Sequence, residues 1–264
     1  MKRQSFLVMC FLTLGLLVNM AGCKRDQPTS TSLSSDLAVE QRQIEGGTSQ
    51  PPAEDIRGSE IESPQYPEGT AVIVAIGDSI TYGDGSSRGG YPSILQEKLF
   101  AAGYAGMVLN EGISGERTYS THARWLREIA NADIALIMIG INDLINPGNC
   151  YIPYHCQTIE HIEAMINEAL ISKKIPILST VTPAETDGIR AWVNPYIRSL
   201  NSRIKSLAMQ YNIPLVDNYQ AIRDNGGDAL YADHVHFTDA GYAVIAQQWF
   251  DAIVAGKLIE AALK

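Results

Sequence analysis

The sequence predicts an α/β fold, a three-layer α/β/α sandwich built on a five-stranded parallel sheet. Five short runs are apolar at nearly every position, which is the pattern of strands buried on both faces. Longer stretches with apolar residues at helical spacing lie between them and give a βαβ rhythm. A chain of 264 residues, 45% of them hydrophobic, can bury one substantial core. No internal repeat of solenoid length interrupts the pattern.

Taken in order, the chain opens with Lys2 and Arg3, followed by an apolar run from Phe6 to Val18 that is too short to span a bilayer comfortably. The run ends at Met20-Ala21-Gly22-Cys23, which resembles the lipobox of bacterial lipoproteins. That resemblance implies a signal peptide over residues 1–22, acyl chains on Cys23 as a membrane anchor, and export. Met20 stands where Leu, Val or Ile is usual, which leaves cleavage by an ordinary signal peptidase or an uncleaved anchor open. Lys24 after the cysteine points to the outer membrane, facing the periplasm or the cell surface, if the host follows the enterobacterial sorting rule. Residues 23–69, rich in Ser, Thr, Gln, Glu, Pro and Gly, read as a lipidated cysteine with a disordered tether.

The catalytic-domain candidate is residues 70–264. Its strand candidates are Ala71–Ile76, Gly106–Leu109, Ile134–Ile139, Ile175–Ser179 and Ile213–Val216. Its helix candidates are Tyr91–Ala102, His122–Ala130, Thr158–Ser172, Asn194–Tyr211 and a last helix through Ile259, capped by Thr238 or Asp239.

The chain carries 29 acidic against 20 basic side chains, a net charge of -9. Removing residues 1–22 takes away Lys2 and Arg3 and no acid, which makes the balance -11. Such a charge disfavours nucleic acid as a partner. In the body of the chain the cysteines are Cys150 and Cys156, a candidate disulfide in an oxidising compartment. A metal reading would recruit His155 or His161, but no C-x-x-C spacing accompanies them.

Loops at the carboxyl ends of parallel strands gather around one crevice, so polar residues just beyond each apolar run are where chemistry is expected. Gly77-Asp78-Ser79-Ile80-Thr81 follows the first run and puts a hydroxyl at a tight turn. Asn110-Glu111-Gly112-Ile113-Ser114-Gly115 follows the second, where a glycine can present its N–H to a developing negative charge. Gly140-Ile141-Asn142-Asp143 follows the third and can project a carboxamide. Asp233-His234-Val235-His236 precedes the last helix, and residues three apart on a helical turn share a face, so Asp233 can reach the His236 imidazole. Singly, each block is equally at home in a cap or turn.

Together and in this order, the four blocks resemble the SGNH or GDSL family of esterases and lipases, named for the residues that match Ser79, Gly112, Asn142 and His236. The resemblance implies a flavodoxin-like sheet and a catalytic triad of Ser79, His236 and Asp233. It also implies an oxyanion hole made by the Ser79 and Gly112 N–H groups with the Asn142 side chain. No metal or organic cofactor and no obligate protein partner is implied. The implied substrate is a small-molecule, lipid or glycan ester, from lysophospholipids to acetylated sugars. Transfer of the acyl group to a sugar or alcohol acceptor stays open, as does a non-catalytic surface binding module. No H-E-x-x-H or Walker sequence competes. Tyr82, Tyr119, Tyr151, Tyr154, Trp192 and Tyr196 are candidate pocket-lining aromatics.

Overall fold

The computed structural model describes residues 66–146 and 157–264. The expected signal peptide and Cys23, nearly all of the expected tether, and the segment holding Cys150, Tyr151, Tyr154, His155 and Cys156 lie outside the described residues. Among the described residues, no helix is long and apolar enough to cross a membrane.

Five strands form one parallel sheet: β1 (Ala71–Gly77), β2 (Gly106–Gly112), β3 (Ile134–Met138), β4 (Ile175–Ser179) and β5 (Leu215–Val216), in the order β2-β1-β3-β4-β5. Every residue of β1 and β3 is buried, which is why these two runs are apolar throughout. At the edge, β2 is only half-buried and tolerates Asn110 and Glu111 in its distal half, so it continues three residues past the apolar run that announces it.

The intervening helices are α1 (Ser79–Tyr82), α2 (Gly90–Ala101), α3 (Thr118–Glu128), α4 (Ile141–Ile145), α5 (Thr158–Ile171), α6 (Asn194–Tyr211), α7 (Asn218–Asp224), α8 (Asp239–Ala255) and α9 (Leu258–Ala262). Right-handed crossovers fix their sides. The step from β1 to β2 runs one way across the sheet and every later step runs the other way, so α2 takes one face and α3, α5 and α6 the opposite one. Contacts agree, with α8 returning to pack on α2 while α3 packs on α5 and α5 on α6. The α2–α8 interface buries Tyr91 against Trp249, rings stacked with centroids 6.0 Å apart.

The winding reverses between β1 and β3. In an open parallel sheet this switch point opens a crevice at the carboxyl ends of the strands. Ser79 follows β1 and Asn142 follows β3, so both stand at its rim.

Candidate active site

Ser79 is the first residue of α1, and the backbone turns from strand to helix in one step at Asp78. The Asp78 carboxylate accepts the Ile80 N–H at 3.0 Å and so caps the helix. Burial pushes the Asp78 carboxyl up to about 7; the Ile80 N–H opposes the shift, and the charges of Asp143 and Glu116 add to it. The short helix closes at Gly83, whose φ of 104° is in the left-handed region.

The histidine arrives on a tight loop closed by an antiparallel bridge between Tyr231 and Phe237 and by Ala232 N–H donating to the His236 carbonyl at 2.9 Å. Inside this loop one Asp233 oxygen accepts the N–H groups of Val235 and His236, both at 2.8 Å, and the other lies 2.7 Å from His236 Nδ1. The Asp233–His236 contact predicted from helical spacing is therefore made by an Asx-type turn instead, since residues 233–236 are not helical. Partial burial works against ionisation of Asp233, but the two backbone N–H groups and the imidazole hold its carboxyl below the ordinary value. On its other side, His236 Nε2 stands 2.8 Å from Ser79 Oγ. A hydroxyl, an imidazole and a carboxylate are thus in hydrogen-bonding line, the arrangement that lets a serine give up its proton as it attacks. His234 also lines the site and pairs with Glu185 at 2.7 Å.

Asn142 is buried at the start of α4, after Gly140 turns the chain with a φ of 132°. One of its amide hydrogens goes to the Glu116 carbonyl at 3.0 Å, which fixes the carboxamide and leaves the second hydrogen for a ligand. Asn142, Ser79 and His236 line one cavity of about 360 Å³.

Gly112 does not join them. It is the last residue of β2, its N–H donates to Asn110 Oδ1 at 3.0 Å, and a side-chain carbon there would stand 2.1 Å from the Tyr82 nitrogen. Its N–H is engaged and its Cα is packed under α1, so the expected oxyanion contact is corrected. The glycine that lines the cavity is Gly115, three residues beyond the strand, with φ of 79° and open space where a Cβ would be. The sequence signal was the second glycine of N-x-G-x-x-G; finding it required knowing where β2 ends.

A buried ion pair holds the Gly115 loop. Arg124 reaches Glu116 with Nε and Nη2 at 2.9 and 2.7 Å and the Glu111 carbonyl at 2.6 Å, while Thr121 donates to Glu116 at 2.8 Å. Glu116 therefore ties the loop to α3 through its side chain and orients Asn142 through its carbonyl. Beside it, Asp143 accepts from the Thr118 N–H at 3.1 Å and the Thr158 hydroxyl at 3.0 Å.

Asp84 is a second carboxylate at the site that no motif signalled. Its Oδ2 lies 3.9 Å from His236 Nε2 and accepts the Ser114 hydroxyl at 2.8 Å. It lines the same cavity as Ser79 and His236. Ile80, Ile141, Ile145, Ile189 and Val235 supply the apolar lining. Tyr82, Tyr119, Trp192 and Tyr196 are not among the cavity's lining residues, contrary to expectation; Trp192 and Tyr196 instead pack edge-on at 6.3 Å. Residues 181–190, which carry Ile189 and Arg190 to the cavity, are held by two α6 asparagines. Asn201 pairs with both backbone groups of Val181 at 2.8 Å, and Asn194 with those of Ala184 at 2.9 Å. Among the described residues, no group of three His, Cys, Asp or Glu is arranged to hold a metal.

Residues 75–244 match the model of the GDSL-like Lipase/Acylhydrolase family. The chain belongs to this family. It is a GDSL-type serine esterase/lipase, acting on ester bonds. Similar solved structures include a lipase/acylhydrolase from Enterococcus faecalis, 26% identical with a TM-score of 0.61 over 71% of this chain and 97% of that one. A GDSL-like lipase from Bacteroides thetaiotaomicron is 27% identical with a TM-score of 0.54 over 73% and 89%. An acetylxylan esterase from Geobacillus stearothermophilus, 23% identical with a TM-score of 0.59 over 69% and 94%, shares the fold. No curated protein sequence matches the chain.

The raised carboxyl beneath Ser79 has a consequence for stability. An aspartate that titrates near 7 when folded and near 3.8 otherwise binds its proton more tightly in the folded state, so its contribution to stability falls as pH rises through that window. Asp78→Asn keeps an oxygen for the Ile80 N–H and removes the titration. Its melting temperature relative to the parent chain is expected to rise from about pH 4 to about pH 7 and to level off above; a difference that does not change with pH contradicts the assignment.

Proposed function

We propose that this esterase hydrolyses short acyl esters of polyhydroxylated alcohols, O-acetylated glycans above all, through an acyl-enzyme on Ser79. The observation that carries the reading is the continuous line from Ser79 Oγ to His236 Nε2 at 2.8 Å and from His236 Nδ1 to Asp233 at 2.7 Å.

In this mechanism Ser79 Oγ attacks the ester carbonyl carbon while its proton passes to His236 Nε2. Asp233 fixes the tautomer by accepting the Nδ1 proton and stabilises the imidazolium that forms. The negative charge on the former carbonyl oxygen is met by the Ser79 and Gly115 N–H groups and the free Asn142 amide hydrogen. A single donor of this kind is typically worth about 3 to 4 kcal/mol of barrier. Collapse breaks the carbon–oxygen bond to the alcohol, which leaves with the proton from Nε2. Water then repeats the sequence and releases the acid.

Two features support the short acyl group and the polyol. The cavity at Ser79, about 360 Å³, is at the small end of the range for ligand sites. Asp84 adds an acceptor beside His236 for a neighbouring hydroxyl. The acetylxylan esterase of the same fold acts on an ester of this class, as its name states.

The charge, apolar run and Cys23 at the amino end support export and lipid anchoring of this activity. Metabolic labelling with radioactive palmitate should mark the expressed chain and be lost in Cys23→Ala; label retained in that variant contradicts the anchor.

Hydrolysis of p-nitrophenyl esters from acetate to palmitate by the full chain, beside Ser79→Ala, tests the substrate reading. Activity should be greatest with acetate, decline with chain length and fall more than about 10³-fold in the variant. A maximum at long chains would identify a lipase and overturn the short-acyl assignment.

A further inference from the structure

Next to the catalytic cavity lies a larger one of about 500 Å³. The two share a wall. Arg190 lines the first and Ala191 the second, so residues whose Cα atoms are about 3.8 Å apart serve different cavities.

Across this second cavity α6 contributes Arg198 and α7 contributes Arg223. Arg223 lies over the ring of Tyr219, 5.9 Å from its centroid. Among the described residues neither guanidinium has a carboxylate partner, although the chain as a whole is acidic. The carboxylates nearby are already engaged. Asp228, which lines the same cavity, accepts both the N–H and the hydroxyl of Thr186 and is turned to that loop, and Asp217 accepts Lys205 Nζ at 2.5 Å and the Thr180 hydroxyl at 2.9 Å. The same two arginines, with Tyr219, also line an adjoining groove along α6 and α7, so the positive charge extends away from Ser79.

The geometry points to an accessory subsite that holds the carboxylate of an acidic sugar in the same glycan whose ester lies at Ser79. An arginine fork matches a planar carboxylate with two parallel hydrogen bonds, and two arginines against the single carboxylate of Asp228 leave the cavity with a positive balance that an anion would meet. Proline and tyrosine walls, Pro183, Pro195 and Tyr231, present apolar sides to the C–H faces of a pyranose ring. A glycan is favoured over an anionic lipid because the larger open volume, about 500 Å³ against about 360 Å³, lies on the arginine side. The inference rests on the esterase reading and adds the charge class of its substrate.

Binding separates the two. Calorimetric titration of the full-length Ser79→Ala variant with a trimer of galacturonic acid and with xylotriose reads the subsite without turnover. The acidic trimer should bind at least about tenfold more tightly, and added salt should weaken it. The preference should vanish when Arg198→Gln and Arg223→Gln are added. In the parent chain the two arginine substitutions should leave p-nitrophenyl acetate hydrolysis unchanged. Equal binding of both trimers, or an acidic preference that survives the arginine substitutions, overturns the subsite. Glycerol 3-phosphate binding in place of the uronate, with the same arginine dependence, overturns the glycan assignment. Arginine-dependent binding without ester hydrolysis by the parent chain would sink the esterase reading and leave the subsite standing.

Discussion

A side-chain carbon at Gly77 would stand 2.3 Å from the Met138 carbonyl oxygen, and one at Gly112 would stand 2.1 Å from the Tyr82 nitrogen. These two steric limits let α1 sit directly against the carboxyl ends of its neighbouring strands. With β1 ending at Gly77, the chain has only Asp78 in which to leave the sheet, and the Asp78 cap fixes the direction of the helix that follows. Ser79 is thereby held at the switch point of the sheet, on the rim of its crevice. Any other residue at either glycine would push α1 outward and carry the hydroxyl away from His236.

The ground beneath the site is polar and buried, unlike the sheet it rests on. Asp78, Glu116 and Asp143 are buried near one another, with the Arg124 guanidinium as the balancing charge on Glu116. Buried charges of this kind cost several kcal/mol unless each is paired or hydrogen-bonded. Here each is: Asp78 by a backbone N–H, Asp143 by two threonines, and Glu116 by Arg124 and Thr121. The benefit is positional. Through Glu116 the network fixes both the Gly115 loop and the Asn142 carboxamide, which line the cavity beside Ser79.

How much of this was legible in the sequence follows from burial. Strands β1, β3 and β4 are covered on both faces and announce themselves as unbroken apolar runs. At the edge, β2 is half-exposed, so its polar last residues Asn110 and Glu111 looked like a loop, and Gly112 was taken for a loop glycine when it is the strand's end. The resemblance therefore points to Gly112, whereas the glycine that lines the cavity is Gly115, three residues on. Asp233 and His236 were paired correctly from spacing, but a turn built on backbone N–H groups makes the contact, and sequence spacing alone does not distinguish it from a helical one. Helix α7, seven residues with Tyr219, Ala221 and Ile222 buried, is too short to show a period. Asp84, Arg198 and Arg223 belong to no motif and are brought to their cavities only by the packing of distant elements.

The central claim is that Ser79 is a nucleophile activated by its place at the switch point. Treatment of the native full chain with a fluorophosphonate, followed by peptide mapping, tests it most directly. The account predicts a single covalent adduct on Ser79, formed at least about 10²-fold more slowly when His236 is replaced by alanine. An unmodified Ser79, or an adduct on another residue, would contradict it.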